Sequence, residues 1–186
     1  TTEGYDPAVW SQMANELGLQ SLIIPEEYGG QGFGYVELTV VLEEMGRVLL
    51  AAPFFSTVAL ATNTILHSGD EAAKKEVLPG IASGETIATL AFTEPNGKWD
   101  LSGIEATATK DGDTWRIDGT KMFVLDGHTA NLILVAARTG DDISLFRVAG
   151  DAEGLTRTLL PTMDQTRKLA KLEFSNVPAT LLGEQG

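Results

Sequence analysis

Residues 106–119 read ATATKDGDTWRIDG, two alternating runs on either side of an Asp111-Gly112-Asp113 turn. Period-two alternation flanking a tight turn is the signature of a β-hairpin. From about Glu85 onward the same texture repeats. TIATLAF, IEATATK, TWRIDG, KMFVL, NLILVAA, ISLFRV, LTRTLL and KLAKLEF follow one another, separated by turn signals such as Asp118-Gly119, Asp126-Gly127 and Thr139-Gly140-Asp141. About eight short strands with no helix between them predict an antiparallel barrel or sandwich.

Before Glu85 the period changes to that of helices. Asp6-Pro7 is a start signal, a capping side chain followed by proline in the first helical position. Trp10, Met13, Ala14 and Leu17 recur at helical spacing, and Gly18 supplies a stop. A second helix is predicted over Tyr35–Arg47 and a third across FSTVALATNTILHSG. A fourth, EAAKKEVL, is capped by Asp70 and ended by Pro79-Gly80. Leu22 to Ile24 reads as a short strand cut off by Pro25. The fold class is therefore α+β, an N-terminal helical domain (1–84) followed by an antiparallel β-barrel or sandwich domain (85–186). With neither repeat nor linker, the two halves are expected to pack directly.

The 186-residue chain is long enough to bury a core. Its net charge of -13 argues against a nucleic-acid binder, which needs a concentrated basic surface. The lack of cysteine removes disulfides, thiolate metal sites and Cys nucleophiles together. No apolar run approaches the roughly 20 residues of a membrane span. The first residues carry no signal-peptide pattern, so a cytoplasmic location is the expectation.

The stretch 25–34, PEEYGGQGFG, raises the question of a phosphate-binding loop. The dinucleotide fingerprint needs glycines at positions one, three and six. From Gly30 the sixth residue is Tyr35, and from Gly32 it is Glu37. No Gly-Lys-Ser/Thr follows, and Glu26 and Glu27 would repel a phosphate. A tight inter-helix loop is the better reading. His67 reads as a helix-terminal structural group and His128 as an exposed turn residue. Asp126 and His128 would make a dyad, but no serine motif accompanies them. Met13, Met45, Met122 and Met163 read as core fillers, and Glu43-Glu44 as a solvated face.

Four stretches in this order and spacing closely resemble the acyl-CoA dehydrogenase family over essentially the whole chain. They are PEEYGGQGFGYVEL…VLEEMGR, EVLPGIASGE, LAFTEP and WRIDGTKMFVLDGHTANLILVAAR. The texture of segments such as MDQTRKLAKLEF is similar to that of actinobacterial members acting on fatty-acyl or steroid side-chain thioesters. The resemblance implies an N-terminal helical domain, a middle β-barrel domain and a C-terminal four-helix domain, of which this sequence matches the first two. The family's first helix and its C-terminal domain are expected to be missing. That domain carries the family's catalytic glutamate, much of the FAD diphosphate and adenine site, and most of the tetramer interface. No catalytic residue is therefore expected here.

The implied chemistry is removal of an α-proton by the base while the β-hydrogen leaves as hydride to flavin N5, which demands stacked, aligned reactants. On this match Leu90, Phe92 and Thr93 face the isoalloxazine of FAD, with Thr93 supplying a hydroxyl and a backbone N–H. Phe123 packs against the ring, and Val124 and Leu125 follow along its edge. Without the match, LAFTEP is a strand turning at Pro95, with Glu94 a surface charge. Lys121 is expected to hold a carboxylate. Implied partners are an acyl-CoA substrate, an electron-transfer flavoprotein or similar acceptor, and further subunits of a homo- or heterotetramer.

Two positions depart from the family pattern. Where the family continues TEP with Gly-Ser-Asp, this chain has Lys98, Trp99 and Asp100, so an indole replaces a serine that contacts the acyl-CoA. Leu125 stands where a threonine commonly hydrogen-bonds the flavin near N5. An unpaired polar atom in a dry site costs about 1–3 kcal/mol. Three readings therefore stand: an FAD-dependent acyl-CoA dehydrogenase with an altered substrate channel, a flavin-deficient partner subunit, or a non-enzymatic acyl-CoA-binding module.

Overall fold

The structure is a computed structural model that describes residues 3–186, so Thr1 and Thr2 of the predicted 1–84 unit lie outside it. Helix α1 (Pro7–Asn15) begins where the sequence predicts, with the Asp6 carboxylate accepting from Ala8 N at 2.8 Å. Helix α2 spans Tyr35–Arg47, as the spacing predicts. The third helix has two parts: Phe55–Thr62 winds with wide π-type turns, and α3 (Asn63–His67) continues it.

Helix α4 (Glu71–Ala82) is capped by Asp70 but does not stop at Pro79. Pro79 sits inside its last turn, Ser83 N still donates to Pro79 O at 3.0 Å, and the chain leaves the helix at Gly84 (φ 78°). A proline forfeits the N–H that would bond the carbonyl four residues back, so α4 loses one backbone bond here and still closes its last turn through Pro79 O.

Leu22–Ile24 is not a strand. These three buried residues follow a 3-10 turn at Leu19–Ser21. Their backbone is used by the glycine loop instead: Gln31 N donates to Ser21 O, Gly32 N to Ile24 O and Phe33 N to Leu22 O, at 2.9–3.0 Å. The loop is the tight reversal its composition predicts. Gly29 has φ 83°, and a Cβ on Gly30 would lie 1.8 Å from Ile24 O.

The second half forms seven strands: β1 (Ala88–Ala91), β2 (Thr107–Asp111), β3 (Thr114–Leu125), β4 (Leu132–Thr139), β5 (Asp142–Ala149), β6 (Leu155–Leu160) and β7 (Leu169–Leu182). The opening hairpin is β2–β3, with Lys110 opposite Trp115 and Asp111 opposite Thr114. TWRIDG and KMFVL, two strands in the sequence reading, are one strand, β3, which bends at two register shifts against β7. The pairings β4–β2, β2–β3, β3–β7, β7–β5 and β5–β4 close a ring, so the sheet is a barrel. Most pairings are antiparallel, but β1 runs parallel to β4, with Ala88 opposite Leu132.

The two halves share their cores. Trp10, Met13, Phe54 and Val58 pack in one cluster with Trp115, Ile133 and Phe146, and Ile65, Leu78 and Ile81 pack with Leu134. Trp10 Nε1 donates to Gly84 O at 2.9 Å, and Thr57 Oγ1 both donates to Ala88 O and accepts from Ala88 N at 3.1 Å. This brings the Phe55–Thr62 segment against β1. Met13 and Met45 pack in or against the core as predicted, whereas Met163 is fully exposed. Among the described residues no helix is long and apolar enough to cross a membrane.

Candidate functional site

Two backbone segments far apart in sequence build the site. Beyond Ala91 the chain runs straight on through Phe92, Thr93 and Glu94 until Pro95, and Met122 N donates to Thr93 O at 2.8 Å. Opposite, the β3–β7 register slips between Lys121 and Val124, which leaves Met122 and Phe123 as a bulge. Phe123 takes the left-handed conformation (φ 57°), and its ring is 53% exposed. Bulges re-aim side chains out of the pleat, and a phenylalanine in this region stores strain.

Beneath this surface Lys121 Nζ lies 2.6 Å from Glu94 Oε1 and donates at 3.4 Å to Phe92 O. Glu94 also accepts from Glu105 N and Ala106 N, at 2.9 and 3.0 Å. Glu94 is thus a buried ion-pair partner and not the surface charge that the isolated strand reading gives it. Lys121 holds a carboxylate, as expected. Burial pushes its pKa down, against the raising effect of Glu94.

The site residues named from the sequence come together. Leu90, Phe92, Thr93, Trp99, Phe123, Val124 and Leu125 all line one cavity of about 520 Å³. Its lining is mainly apolar, in the range of small-molecule sites. Among the described residues nothing hydrogen-bonds the Thr93 hydroxyl, although Thr93 is 8% exposed. Trp99 is 82% exposed and meets Phe92 edge-to-face at 6.0 Å and 82°. Two hydrogen bonds tie its loop: Asn96 Nδ2 donates to Gly103 O at 2.8 Å, and Ser102 N donates to Asp100 Oδ1 at 2.8 Å. Leu125 contributes only an apolar wall, and its carbonyl accepts from Thr89 Oγ1 at 2.6 Å.

Sequence reasoning missed Phe55, Leu60, Gly97 and Met122, which line the same cavity. Met122 and Gly97 were recoverable as neighbours of named residues. Phe55 and Leu60 carry no local signal, because only the docking of their helix on β1 brings them in.

The other candidates lie outside this cavity. Asp126, with its pKa raised by burial against the lowering effects of Ser56, His128 and Arg167, accepts from Ser56 Oγ at 2.6 Å, while His128 Nε2 lies 3.2 Å from Glu3 O. His128 is half-buried, less exposed than the turn reading predicts. His67 Nε2 sits 3.1 Å from Tyr35 Oη at its helix end. Glu43 and Glu44 are exposed, with Glu44 paired to Arg47. No cluster of metal-ligating side chains exists among the described residues. None of residues 25–34 lines the cavity.

Comparison with known proteins adds a family to this geometry. A model of the acyl-CoA dehydrogenase N-terminal domain matches residues 1–85, and one of the acyl-CoA dehydrogenase middle domain matches residues 89–177. The mitochondrial isovaleryl-CoA dehydrogenase of Pongo abelii is 32% identical over 165 residues, covering 88% of this chain and 38% of its own length. An acyl-CoA dehydrogenase of Bacillus subtilis is 32% identical, covering 91% of this chain and 48% of its own. The structure of butyryl-CoA dehydrogenase from Megasphaera elsdenii superposes with a TM-score of 0.90 at 28% identity, over 100% of this chain and 52% of that one. The chain thus spans about half or less of each of these relatives.

Proposed function

The chain belongs to the acyl-CoA dehydrogenase family, and we propose that it forms the flavin-edge and acyl-facing part of an enzyme that dehydrogenates the α and β carbons of an acyl-CoA thioester. The observation that carries this reading is the single cavity in which Leu90, Phe92, Thr93, Phe123, Val124 and Leu125 meet Trp99. Its residues fit FAD in kind: flat aromatic faces for a planar ring, and a Thr93 hydroxyl without a protein partner for a ring-edge polar atom.

Bound FAD supplies the hydride acceptor. The chain's own residues do the rest of the positioning. Phe123 would pack on the ring and Thr93 would hydrogen-bond its edge, while the Lys121–Glu94 pair fixes the spacing between the two segments that carry them. Trp99 and Phe92, in edge-to-face contact, form an aromatic wall on the acyl side. No lining residue is a carboxylate or a histidine, so the group that takes the α-proton comes from elsewhere. The division into 1–84 and 85–186, an electron-transfer flavoprotein as acceptor and a homo- or heterotetrameric assembly are parts of the same proposal.

A second reading rests on Leu125, whose side chain offers no hydrogen bond where the family commonly uses threonine. A flavin polar atom left unpaired there costs about 1–3 kcal/mol, which favours a flavin-poor partner subunit. Flavin absorbance of the purified protein, alone and with its genomic neighbour, separates the two. Protein that is yellow alone and reduces an acceptor with an acyl-CoA supports the first. Colourless protein that joins a yellow complex supports the second. Protein that stays colourless in both settings but binds acyl-CoA leaves only a binding module.

A further inference from the structure

Phe55, Leu90 and Leu125 line the main cavity from three different segments. The residues next to them in the chain, Ser56, Thr89 and Asp126, belong to one closed ring of hydrogen bonds. Ser56 Oγ lies 2.6 Å from Asp126 Oδ2, and Thr57 Oγ1 bonds both N and O of Ala88 at 3.1 Å. Thr89 Oγ1 donates to Leu125 O at 2.6 Å, which returns the ring to Asp126. Ser56, Thr57, Ala88 and Thr89 are fully buried. Asp126 is the ring's one ionisable member.

With Asp126 ionised, this ring is one proton short. Ser56 Oγ carries a single hydrogen and has two close partners, Asp126 Oδ2 and, at 3.1 Å, Pro53 O. A carboxylate and a carbonyl both accept, so one hydroxyl hydrogen cannot fully serve the two. A protonated Oδ2 removes the conflict, because it donates to Ser56 Oγ and frees the hydroxyl to donate to Pro53 O. The heavy atoms stand alike for either direction. We infer that Asp126 is a positioning residue held as the neutral carboxylic acid, whose proton completes the ring that fixes Phe55, Leu90 and Leu125 as cavity walls. Burial acts in the same direction by raising its pKa. It is opposed by the Ser56 hydroxyl when that group donates, by His128 on the same turn and by Arg167 from the segment joining β6 to β7. The Phe55–Thr62 segment and β1 bring no titratable side chain, while Lys168 and Glu3 meet this turn through their carbonyls.

The test is a pH series of infrared spectra on the full chain, taken as the difference between wild type and Asp126→Asn. Asparagine is neutral, keeps a donor toward Ser56 Oγ and tolerates the φ of 51°. The carbonyl band of the neutral acid is expected to persist well above 3.8, the ordinary aspartate value. Ser56→Ala leaves the acid in place should Asp126→Asn fail to fold, and it is expected to shift that band. Urea midpoints of wild type and Asp126→Asn are expected to coincide in acid and to separate as the pH rises, with the variant the more stable. The sign follows from the raised folded pKa: the proton's contribution is complete below 3.8 and is lost as the pH rises through the folded value. FAD affinity, the arm that rests on the flavin reading, is followed by flavin fluorescence. In wild type it is expected to fall roughly two- to tenfold over that interval, the worth of one hydrogen bond, and in Asp126→Asn to stay level. A band lost at or below 3.8, or one that Ser56→Ala leaves unmoved, overturns the neutral acid. So does a wild type that is the more stable at neutral pH and loses that advantage in acid, because the ionised form then holds the ring. The same pH dependence of FAD affinity in both proteins overturns the positioning role. A wild type that binds no FAD at any pH removes the flavin reading alone, and the infrared and urea series still decide on Asp126.

Discussion

The Lys121 ammonium lies 2.6 Å from the Glu94 carboxylate, with the two side chains 0% and 3% exposed, and this pair joins the two backbone segments that line the cavity. Charges taken out of water are costly unless paired and further hydrogen-bonded. Here the pairing is completed by Glu105 N and Ala106 N on Glu94 and by Phe92 O at Lys121. Removing one partner strands the other. Lys121→Met is expected to destabilise the fold by about 3–5 kcal/mol, read by urea denaturation. The Lys121→Met/Glu94→Gln double variant is expected to recover part of that loss. Equal or greater destabilisation in the double variant would show that the pair is not a coupled unit.

Phe123 is held at φ 57°, on the bulge that aims its ring into the open cavity. A non-glycine residue in this conformation carries about 1–2 kcal/mol of strain. Phe123→Gly is expected to leave stability unchanged or slightly raised while weakening flavin retention, measured by absorbance after gel filtration. Opposed signs in the two measurements would mark strain held for ligand binding. A loss of stability with unchanged flavin content would contradict it.

Trp99 is 82% exposed and its only ring partner among the described residues is Phe92. Substitutions at such sites shift stability by less than about 0.5 kcal/mol, so Trp99→Ser is expected to leave the melting curve in place. Acyl-CoA binding is expected to change, together with turnover if the chain is catalytic. Combined with Leu125→Thr, the substitution is expected to improve flavin retention. No change in any ligand readout would remove Trp99 from the site.

Two adjacent glycines are expected to respond unequally. A Cβ at Gly30 meets Ile24 O at 1.8 Å, a backbone atom that cannot step aside, whereas one at Gly29 meets nothing within 4 Å and suffers only its φ of 83°. Gly29→Ala is expected to cost about 1–2 kcal/mol, and Gly30→Ala to exceed it in the same chemical-denaturation assay.

Asp70 caps α4 through Ala73 N and also accepts from Gly183 N at the end of β7. The Ala73 N–H is the largest cause of its lowered pKa. A carboxylate whose folded pKa is depressed adds stability above its ordinary value of 3.8, and that stability is lost as the pH falls through the folded value. Asp70→Ala is expected to cost about 1 kcal/mol at neutral pH, and thermal melts of the two proteins should converge in acid.

The opening hairpin, the caps at Asp6 and Asp70 and helix α2 were legible because each rests on neighbours in sequence. A turn, a cap and a periodic face involve residues within a few positions of one another. The same locality explains the errors. Leu22–Ile24 is apolar enough for a strand, but its carbonyls are taken by the glycine loop. Pro79 is a breaker by type, yet α4 forgoes one backbone hydrogen bond there and runs on to Ala82.

The sequence by itself determined the α+β class and the family, and it singled out seven candidate residues for the site. Tertiary structure alone decided that these seven share one cavity, that Glu94 is buried on Lys121, and that Phe55 and Leu60 join them. It also decided that β1 runs parallel to β4 and that the strand ring closes. The physical reason is separation along the chain: Phe55 and Phe123 meet only after helix, strand and bulge have packed, and no local pattern encodes that distance.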